Sequence, residues 1–209
     1  MEKVDGFYTK IHGSYFAFIG VAIFVIVLII AIAVEPNFSF FFHKVSDMGA
    51  LTNSMHLIFN IGWAITGVLM IFFLLFFTRY LLEKGGGSAL TWISFVSGVI
   101  SAGGIIGLAI YNKTTFPDEH LIAELIFFFT GILYLFLYSV IESKIHAIPR
   151  LQVIINLVVA ALFVLYLVLL IANRVSPGLC PEFQSFAEWL FLFGNLFWFV
   201  ETGILTLKV

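Results

Sequence analysis

Charged residues are scarce in this sequence: Asp, Glu, Lys and Arg make up 11% of its 209 residues, while 62% are hydrophobic. Soluble domains carry about 25% charged residues, so the composition excludes a water-soluble globular protein. The single cysteine, Cys180, excludes an internal disulfide framework. A net charge of -2 gives no sign of a polybasic, nucleic-acid-binding tail, and we expect no nucleic-acid partner. The class that remains is an integral membrane protein.

Proline is also rare, and all five prolines lie between the apolar runs. This placement favours uninterrupted helices, because proline removes a backbone donor that lipid cannot replace. About 20 apolar residues cross a bilayer, and six runs of this length are present. The sequence predicts an all-α polytopic membrane protein, a single domain over residues 1–209 with six transmembrane helices in a bundle of three antiparallel hairpins. The predicted spans are 15–34, 57–77, 89–111, 121–141, 151–172 and 187–207.

The basic residues of the short loops predict the orientation. With the N-terminus inside, seven Lys and Arg residues lie at inner ends and three at outer ends. Cytoplasmic loops are enriched in these residues, so we expect both termini in the cytoplasm and a multi-pass protein of the cell membrane. The inner set is Lys3, Lys10, Arg79, Lys84, Lys144, Arg150 and Lys208, and the outer set is Lys44, Lys113 and Arg174.

Part of the sequence is repeated at an offset of 64 residues. Residues 56–69 (HLIFNIGWAITGVL) and 120–133 (HLIAELIFFFTGIL) are identical at six of fourteen positions, and Thr-Gly-Ile-Leu occurs again at 202–205. An offset of two helices preserves direction, so the copies predict parallel repeats of one hairpin. The alternative is that Thr-Gly pairs simply allow close helix packing.

The repeat places polar residues at the outer ends of two predicted helices. His56 with Asn60, and His120 with Glu124, form i, i+4 pairs on one helix face. Polar groups at membrane depth need partners, so we expect these pairs to converge below an outer loop, with Glu124 hydrogen-bonded to a His, Asn or Ser side chain. The predicted outer polar pocket consists of Ser46, Asp47, His56, Asn60, His120 and Glu124.

Two interpretations of this pocket remain open. Imidazole and carboxylate groups suit zinc or iron, and a metal held by Asp47, His56, His120 and Glu124 would indicate a hydrolase acting on lipids. Alternatively, each His is hydrogen-bonded to a loop carbonyl, and Ser46 and Asp47 form a helix N-cap before residues 49–55 or before the second span. The pattern assigns no catalytic residue, and it leaves any metal or cofactor unknown.

Deeper polar residues form a second candidate site. Asn195 and Glu201 lie inside the sixth span, where ionisable groups are costly and often functional. Glu201 could serve a small-solute or proton-coupled transporter, or it could only accept hydrogen bonds from neighbouring side chains. Glu142, nearer a span end, is expected to be solvated. The small residues around Gly103 and Gly107 predict tight packing, within the chain or against a partner.

Several short motifs carry a family resemblance. Residues 41–49 (FFHKVSDMG), Phe59-Asn60 at the start of a span, and Phe116-Pro117 shortly before His120 resemble a six-helix integral membrane family, known only as domain-of-unknown-function family 998, in its archaeal-type members. The resemblance implies six helices over nearly the whole chain. It carries the family's Ser-Asp-x-Gly pattern onto Ser46, Asp47 and Gly49, and it implies no activity.

The leading functional hypothesis is therefore non-enzymatic. We expect an accessory subunit of a membrane complex or a protein that binds lipid head groups in a polar outer-face pocket. The alternatives are the metal-assisted lipid hydrolase and the small-solute or proton-coupled transporter. The expected partners are the lipid bilayer and either other membrane subunits or a second copy of the chain.

Overall fold

The structure, a computed structural model, describes residues 7–8 and 10–207. Six long helices contain most of these residues, and no strand occurs in the described part of the chain. All six are long and apolar enough to cross a membrane, which confirms the predicted all-α, multi-pass architecture. The helices are α1 (Ser14–Ala33), a short α2 (Val45–Met48), α3 (His56–Glu83), α4 (Ser88–Ile110), α5 (Pro117–Glu142), α6 (Arg150–Val175) and α7 (Pro181–Leu207).

Two helices begin earlier than the apolar pattern predicts, because their first turns are polar. Helix α5 begins at Pro117 rather than 121, and α7 begins at Pro181 rather than 187. Proline is tolerated there because the first helical N–H has no intrahelical partner. Asp118 and Glu119 follow in the first turn of α5, where negative charge complements the helix dipole. Hydropathy therefore identifies only the part of these helices that is embedded in hydrocarbon.

The long helices form a closed ring in chain order. Each packs against its neighbours in sequence, and α7 packs against α1. Short segments join successive helices, which therefore run antiparallel. We call the end with segments 34–55, 111–116 and 176–180 the distal end, and the opposite end, where the described chain begins and ends, the proximal end. The assignment of the proximal end to the cytoplasm stays a prediction. Lys3 and Lys208 of the inner basic set lie outside the described residues.

The glycines of the three Thr-Gly pairs have the same role in this ring. Each faces the next helix around the ring, and an added Cβ would lie within 2.8 Å of a side chain there. Helices α3, α5 and α7 thus occupy equivalent positions, and the Thr-Gly pairs mark sites of close helix packing. The contacts are Gly67 with Ile106 of α4, Gly131 with Phe163 of α6, and Gly203 with Phe18 of α1.

Aromatic side chains fill the middle of the bundle. Phe128, Phe163 and Phe191, from α5, α6 and α7, are buried with ring centroids 4.6 to 5.3 Å apart. Large apolar side chains such as Ile29 and Leu151 are exposed on the outside of the ring. In a membrane-spanning bundle this outer surface is the one that contacts lipid, so exposed apolar area is expected there.

Candidate functional site

A polar pocket of about 350 Å³ opens at the distal end, between α5, α6, α7 and the loops. It brings together Lys44, Lys113 and Arg174, the three basic residues that the sequence assigns to the outer loops. Glu124 is the only acidic residue among its described lining residues, so positive charge predominates. The remaining lining residues are Ser46, Pro117, His120, Leu121, Leu170, Asn173 and Gln184.

Asp47 holds one of these cations in place. Its carboxylate forms an ion pair with the Lys113 ammonium group. The second oxygen, Oδ2, accepts a hydrogen bond from the Lys44 backbone N–H at 2.6 Å, at the start of α2. Burial lowers the pKa of Lys113, and the negative charge of Glu188 opposes that shift. Asp47 is thus the third residue of α2 and accepts from its N-cap residue, Lys44. It does not cap a helix that follows it, and it positions a basic side chain of the pocket.

Below the basic rim, two buried carboxyl groups share one tyrosine. The Tyr166 hydroxyl on α6 contacts Glu124 of α5 and lies 3.3 Å from Glu188 Oε2 of α7. Glu188 Oε1 accepts a hydrogen bond from the Ser46 backbone N–H at 3.0 Å. The three side chains are at most 9% exposed. They connect α5, α6, α7 and the α2 segment at the base of the pocket.

The number of hydrogens in this group constrains its protonation. Tyr166 has one hydroxyl hydrogen, which it can donate to one carboxyl group at a time. Its other contact is a hydrogen bond only if that carboxyl group is protonated and donates to the tyrosine oxygen. The arrangement of Glu124, Tyr166 and Glu188 is therefore satisfied when the two carboxyl groups carry a proton between them.

Both histidines at the starts of α3 and α5 are bonded to loop carbonyls. His120 Nδ1 lies 2.7 Å from the Tyr111 carbonyl oxygen, and His56 Nδ1 lies 2.8 Å from the Asn53 carbonyl oxygen. A carbonyl oxygen can only accept, so each Nδ1 carries the hydrogen. His120 is 7% exposed and lines the pocket, whereas His56 does not line it.

Asn60 supports the loop beside the pocket. Its Nδ2 donates to the Gly49 carbonyl oxygen at 3.0 Å, and Asn112 Nδ2 donates to the same oxygen. These two amides attach the segment that follows α2 to α3 and to the α4–α5 loop. Because Gly49 lies just after Met48, they also fix the position of Ser46 and Asp47.

The structure thus divides the predicted pocket residues between two places. Ser46, His120 and Glu124 line the distal pocket, and Asp47 adjoins it through Lys113. His56 and Asn60 lie apart from it, because α4 lies between α3 and α5 in the ring. Glu124 is bonded to a tyrosine, so the expected His, Asn or Ser partner is wrong. In the described part of the chain, no three His, Cys, Asp or Glu side chains form a group that could hold a metal.

The two deeper candidate residues, Asn195 and Glu201, also lie in different parts of the bundle. Asn195 lies below the carboxyl pair, beside a narrow apolar cavity of about 50 Å³, and accepts a hydrogen bond from the Tyr134 hydroxyl at 3.4 Å. Glu201 lies at the proximal end, close enough to Glu142 for the two carboxylate charges to repel. Glu142 is 1% exposed, so the expectation that it is solvated is wrong. Asn156, near the start of α6, donates a hydrogen bond to its Oε2 at 2.7 Å.

Tyr166, Glu188, Gln184 and Asn173 belong to the site although sequence reasoning did not select them. Glu188 could have been found, because it is an acidic residue within a predicted span and such residues are often functional. Tyr166 gives no comparable signal, since an interior tyrosine is common in an apolar helix. Its role depends on which helices lie opposite it.

Comparisons with known proteins identify a family. The family model described as "Protein of unknown function (DUF998)" matches residues 18–199. Neither a curated protein nor a solved structure matches the chain. The family match covers all of the distal pocket and most of each membrane-spanning helix. The chain therefore belongs to the DUF998 family of proteins of unknown function.

Proposed function

We propose that this protein binds a lipid with an anionic head group in its distal pocket, at the outer face of the cell membrane. The observation that carries the proposal is the convergence of Lys44, Lys113 and Arg174 on one open pocket. Lysine and arginine form their strongest hydrogen bonds with phosphate and carboxylate groups. The pocket volume of about 350 Å³ lies within the usual range for small-molecule sites.

The depth of the pocket favours a lipid over a free anion. Pro117 is the first residue of α5 and Arg174 lies in the last turn of α6, so the pocket lies where membrane-spanning helices end. Head groups occupy this layer of a bilayer. Leu121 and Leu170 provide apolar contact on the membrane side of the pocket. The deeper cavity of about 50 Å³ holds only a few waters, so acyl chains stay in the bilayer.

Head-group binding has more support than the other hypotheses. A metal-assisted hydrolase needs ligands that converge, and the described residues offer no such group. An accessory-subunit role has no specific surface in its favour. The placement of the pocket outside the cell follows from the predicted orientation, in which the basic proximal loops face the cytoplasm.

The test compares two double variants of the purified protein in detergent. Lys44→Gln with Arg174→Gln removes two pocket charges and leaves the Lys113–Asp47 pair intact. Lys144→Gln with Arg150→Gln removes two exposed charges at the proximal end and is the matched control. Binding of phosphatidylglycerol and of phosphatidylcholine is measured by native mass spectrometry as a function of lipid concentration.

We expect the pocket variant to bind phosphatidylglycerol about 30-fold more weakly, at about 1 kcal/mol for each charge. The control variant is expected to bind it as the unmodified protein does, and phosphatidylcholine is expected to bind weakly to all three. Equal binding of phosphatidylglycerol by both variants would refute the proposal. Full competition by inorganic phosphate at equal concentration would identify a free anion, not a lipid, as the ligand.

A further inference from the structure

A second group of buried polar side chains lies at the proximal end, where α5, α6 and α7 meet. It contains Glu142 at the end of α5, Gln152 and Asn156 in the first two turns of α6, and Trp198 and Thr202 on α7. Each of these five residues is at most 1% exposed. The group is independent of the distal pocket and of the function proposed for it.

Hydrogen bonds fix the orientation of both amides. Asn156 Nδ2 donates to Glu142 Oε2 at 2.7 Å, and Asn156 Oδ1 accepts from Trp198 Nε1 at 2.5 Å. Gln152 Nε2 donates to Thr202 Oγ1 at 2.9 Å. The oxygen of Gln152 is consequently turned away from Thr202. The amide nitrogen of Asn156 contacts Oε2 of Glu142, and Oε1 has no hydrogen-bond partner.

Three oxygen atoms in and beside this group are buried and have no hydrogen-bond partner. They are Glu142 Oε1, Gln152 Oε1 and the hydroxyl of Tyr80, which lies near Glu142 at the end of α3. An unsatisfied buried polar atom costs about 1–3 kcal/mol, and more when it is charged. An amide oxygen and a carboxylate oxygen can only accept. The Tyr80 hydroxyl has a hydrogen of its own, whereas Glu142 Oε1 and Gln152 Oε1 are acceptors without a donor.

We propose that Glu142 is a proton-binding site, with the proton on Oε1. A protonated carboxyl group is a donor as well as an acceptor, so one added proton removes the negative charge from the apolar interior and supplies the missing hydrogen. Oε2 continues to accept the hydrogen bond from Asn156. Ionisable groups inside membrane-spanning segments that bind and release protons are a recurrent means of coupling.

Titratable groups face Glu142 from α3, α5 and α7. Tyr80 faces it from α3, Tyr138 from its own helix, and Glu201 from α7, and none of these supplies a cation. From α6 the facing groups are the amides of Gln152 and Asn156. Lys144 and Arg150 are exposed, whereas Arg79 and Lys84 at the end of α3 are half-buried, and Lys84 Nζ lies 5.6 Å from the centroid of the Tyr80 ring.

Infrared spectroscopy of the full chain in lipid bilayers tests the proposal, because a protonated carboxyl group has a carbonyl stretching band that a carboxylate lacks. Glu142→Gln replaces the protonated acid with a group of the same shape. Glu83→Gln, at the end of α3, is the matched control because Glu83 is exposed at the same end of the bundle. We expect Glu142→Gln to lose one band near neutral pH and Glu83→Gln to keep it.

Thermal unfolding in detergent gives an independent readout. A proton that is bound in the folded bundle and released on unfolding favours unfolding as pH rises, by up to about tenfold in the equilibrium constant for each pH unit. The midpoint of the unmodified protein is therefore expected to fall from about pH 5 to about pH 8 more steeply than that of Glu142→Gln. Glu83→Gln is expected to follow the unmodified protein.

Three results would overturn the proposal. The first is an unchanged carboxyl band in Glu142→Gln. The second is a midpoint of thermal unfolding that rises with the Na⁺ concentration at constant pH in the unmodified protein but not in Glu142→Gln. That result would mean that the Glu142 carboxylate binds a metal cation and not a proton. The third result concerns Gln152→Leu, which replaces Glu142→Gln in the test if Glu142→Gln does not fold. This variant removes an oxygen next to Glu142 and is expected to shift the carboxyl band. An unshifted band would show that the protonated acid is a different residue.

Discussion

Gly103 and Gly104 are adjacent in α4 but face different surroundings, so we expect the same substitution to have different effects at the two positions. An added Cβ at Gly104 would lie 2.7 Å from the backbone nitrogen of Phe127 and 2.8 Å from its Cβ. At Gly103 nothing lies within 4 Å. The backbone of α5 cannot rotate away as a side chain can, so Gly104→Ala requires the two helices to separate.

The size of the effect follows from this distance. Optimal contact between carbon atoms begins at about 3.5 Å, and the added Cβ would lie 2.8 Å from Phe127 Cβ, so α4 and α5 have to move apart by about 0.7 Å. The movement also stretches the 3.0 Å hydrogen bond from Ser101 Oγ to the Phe127 carbonyl oxygen. Overpacking of this kind costs about 1–3 kcal/mol. Both substitutions gain the same helix propensity, about 1 kcal/mol, so it cancels in the comparison.

We therefore expect Gly104→Ala to be less stable than Gly103→Ala by about 1–3 kcal/mol. The measurement is equilibrium unfolding in mixed micelles, with the free energies of the two variants compared under identical conditions. Gly103→Ala is expected to match or exceed the unmodified protein. Equal free energies of unfolding for the two variants would refute the packing of α4 against α5 described above.

Two further predictions concern the distal pocket. Tyr166→Phe removes the hydroxyl shared by two carboxyl groups and is expected to destabilise the protein by about 1.5–3 kcal/mol at neutral pH. The control is Tyr134→Phe, because the Tyr134 hydroxyl bonds only a neutral amide, at 3.4 Å. It is expected to lower the free energy of unfolding by less in the same assay. Because burial lowers the pKa of Lys113 below the ordinary 10.5, its ammonium group loses its proton at lower pH than a free lysine does. Binding of phosphatidylglycerol is therefore expected to weaken as the pH rises, before pH 10.5 is reached. Lys113→Arg, whose guanidinium stays charged, is expected to keep its affinity over the same range. The same pH profile for both proteins would contradict this role of Lys113.

The architecture could be predicted from the sequence because the bilayer imposes a strong constraint. A segment that crosses hydrocarbon must satisfy its backbone internally and be apolar over about 20 residues, and both properties are visible in the sequence. The first turns of α5 and α7 were missed because Pro117 and Pro181 precede polar residues that lie in the head-group layer. Hydropathy has no signal for such turns, although proline at a first helical position is a recognisable one.

The site could be predicted only in part, because its partners come from separate helices. Ser46, His120 and Glu124 are polar residues next to apolar runs, and that contrast identifies them. Whether Glu124 meets a histidine or Tyr166 depends on the order of helices in the ring and on the rotation of each helix. Neither is encoded in local periodicity, since the helices are apolar around most of their circumference. The same rotation decides that Glu142 is covered and not solvated.

The distal carboxyl pair and the proximal polar group are separated by an aromatic part of the bundle, whose polar atoms include the Tyr134 and Tyr138 hydroxyls and the Asn195 amide. Along α7, Glu188 and Asn195 are seven residues apart, which is about 10 Å, and Phe191 lies between them in the aromatic cluster with Phe128 and Phe163. A proton cannot cross such a distance without intervening hydrogen-bonding groups or water. The adjoining cavity of about 50 Å³ has room for only a few waters, and its lining is mostly apolar. Glu124, Glu188 and Asn195 all line this cavity, so waters within it would be the shortest connection between the distal carboxyl pair and the polar side chains below it.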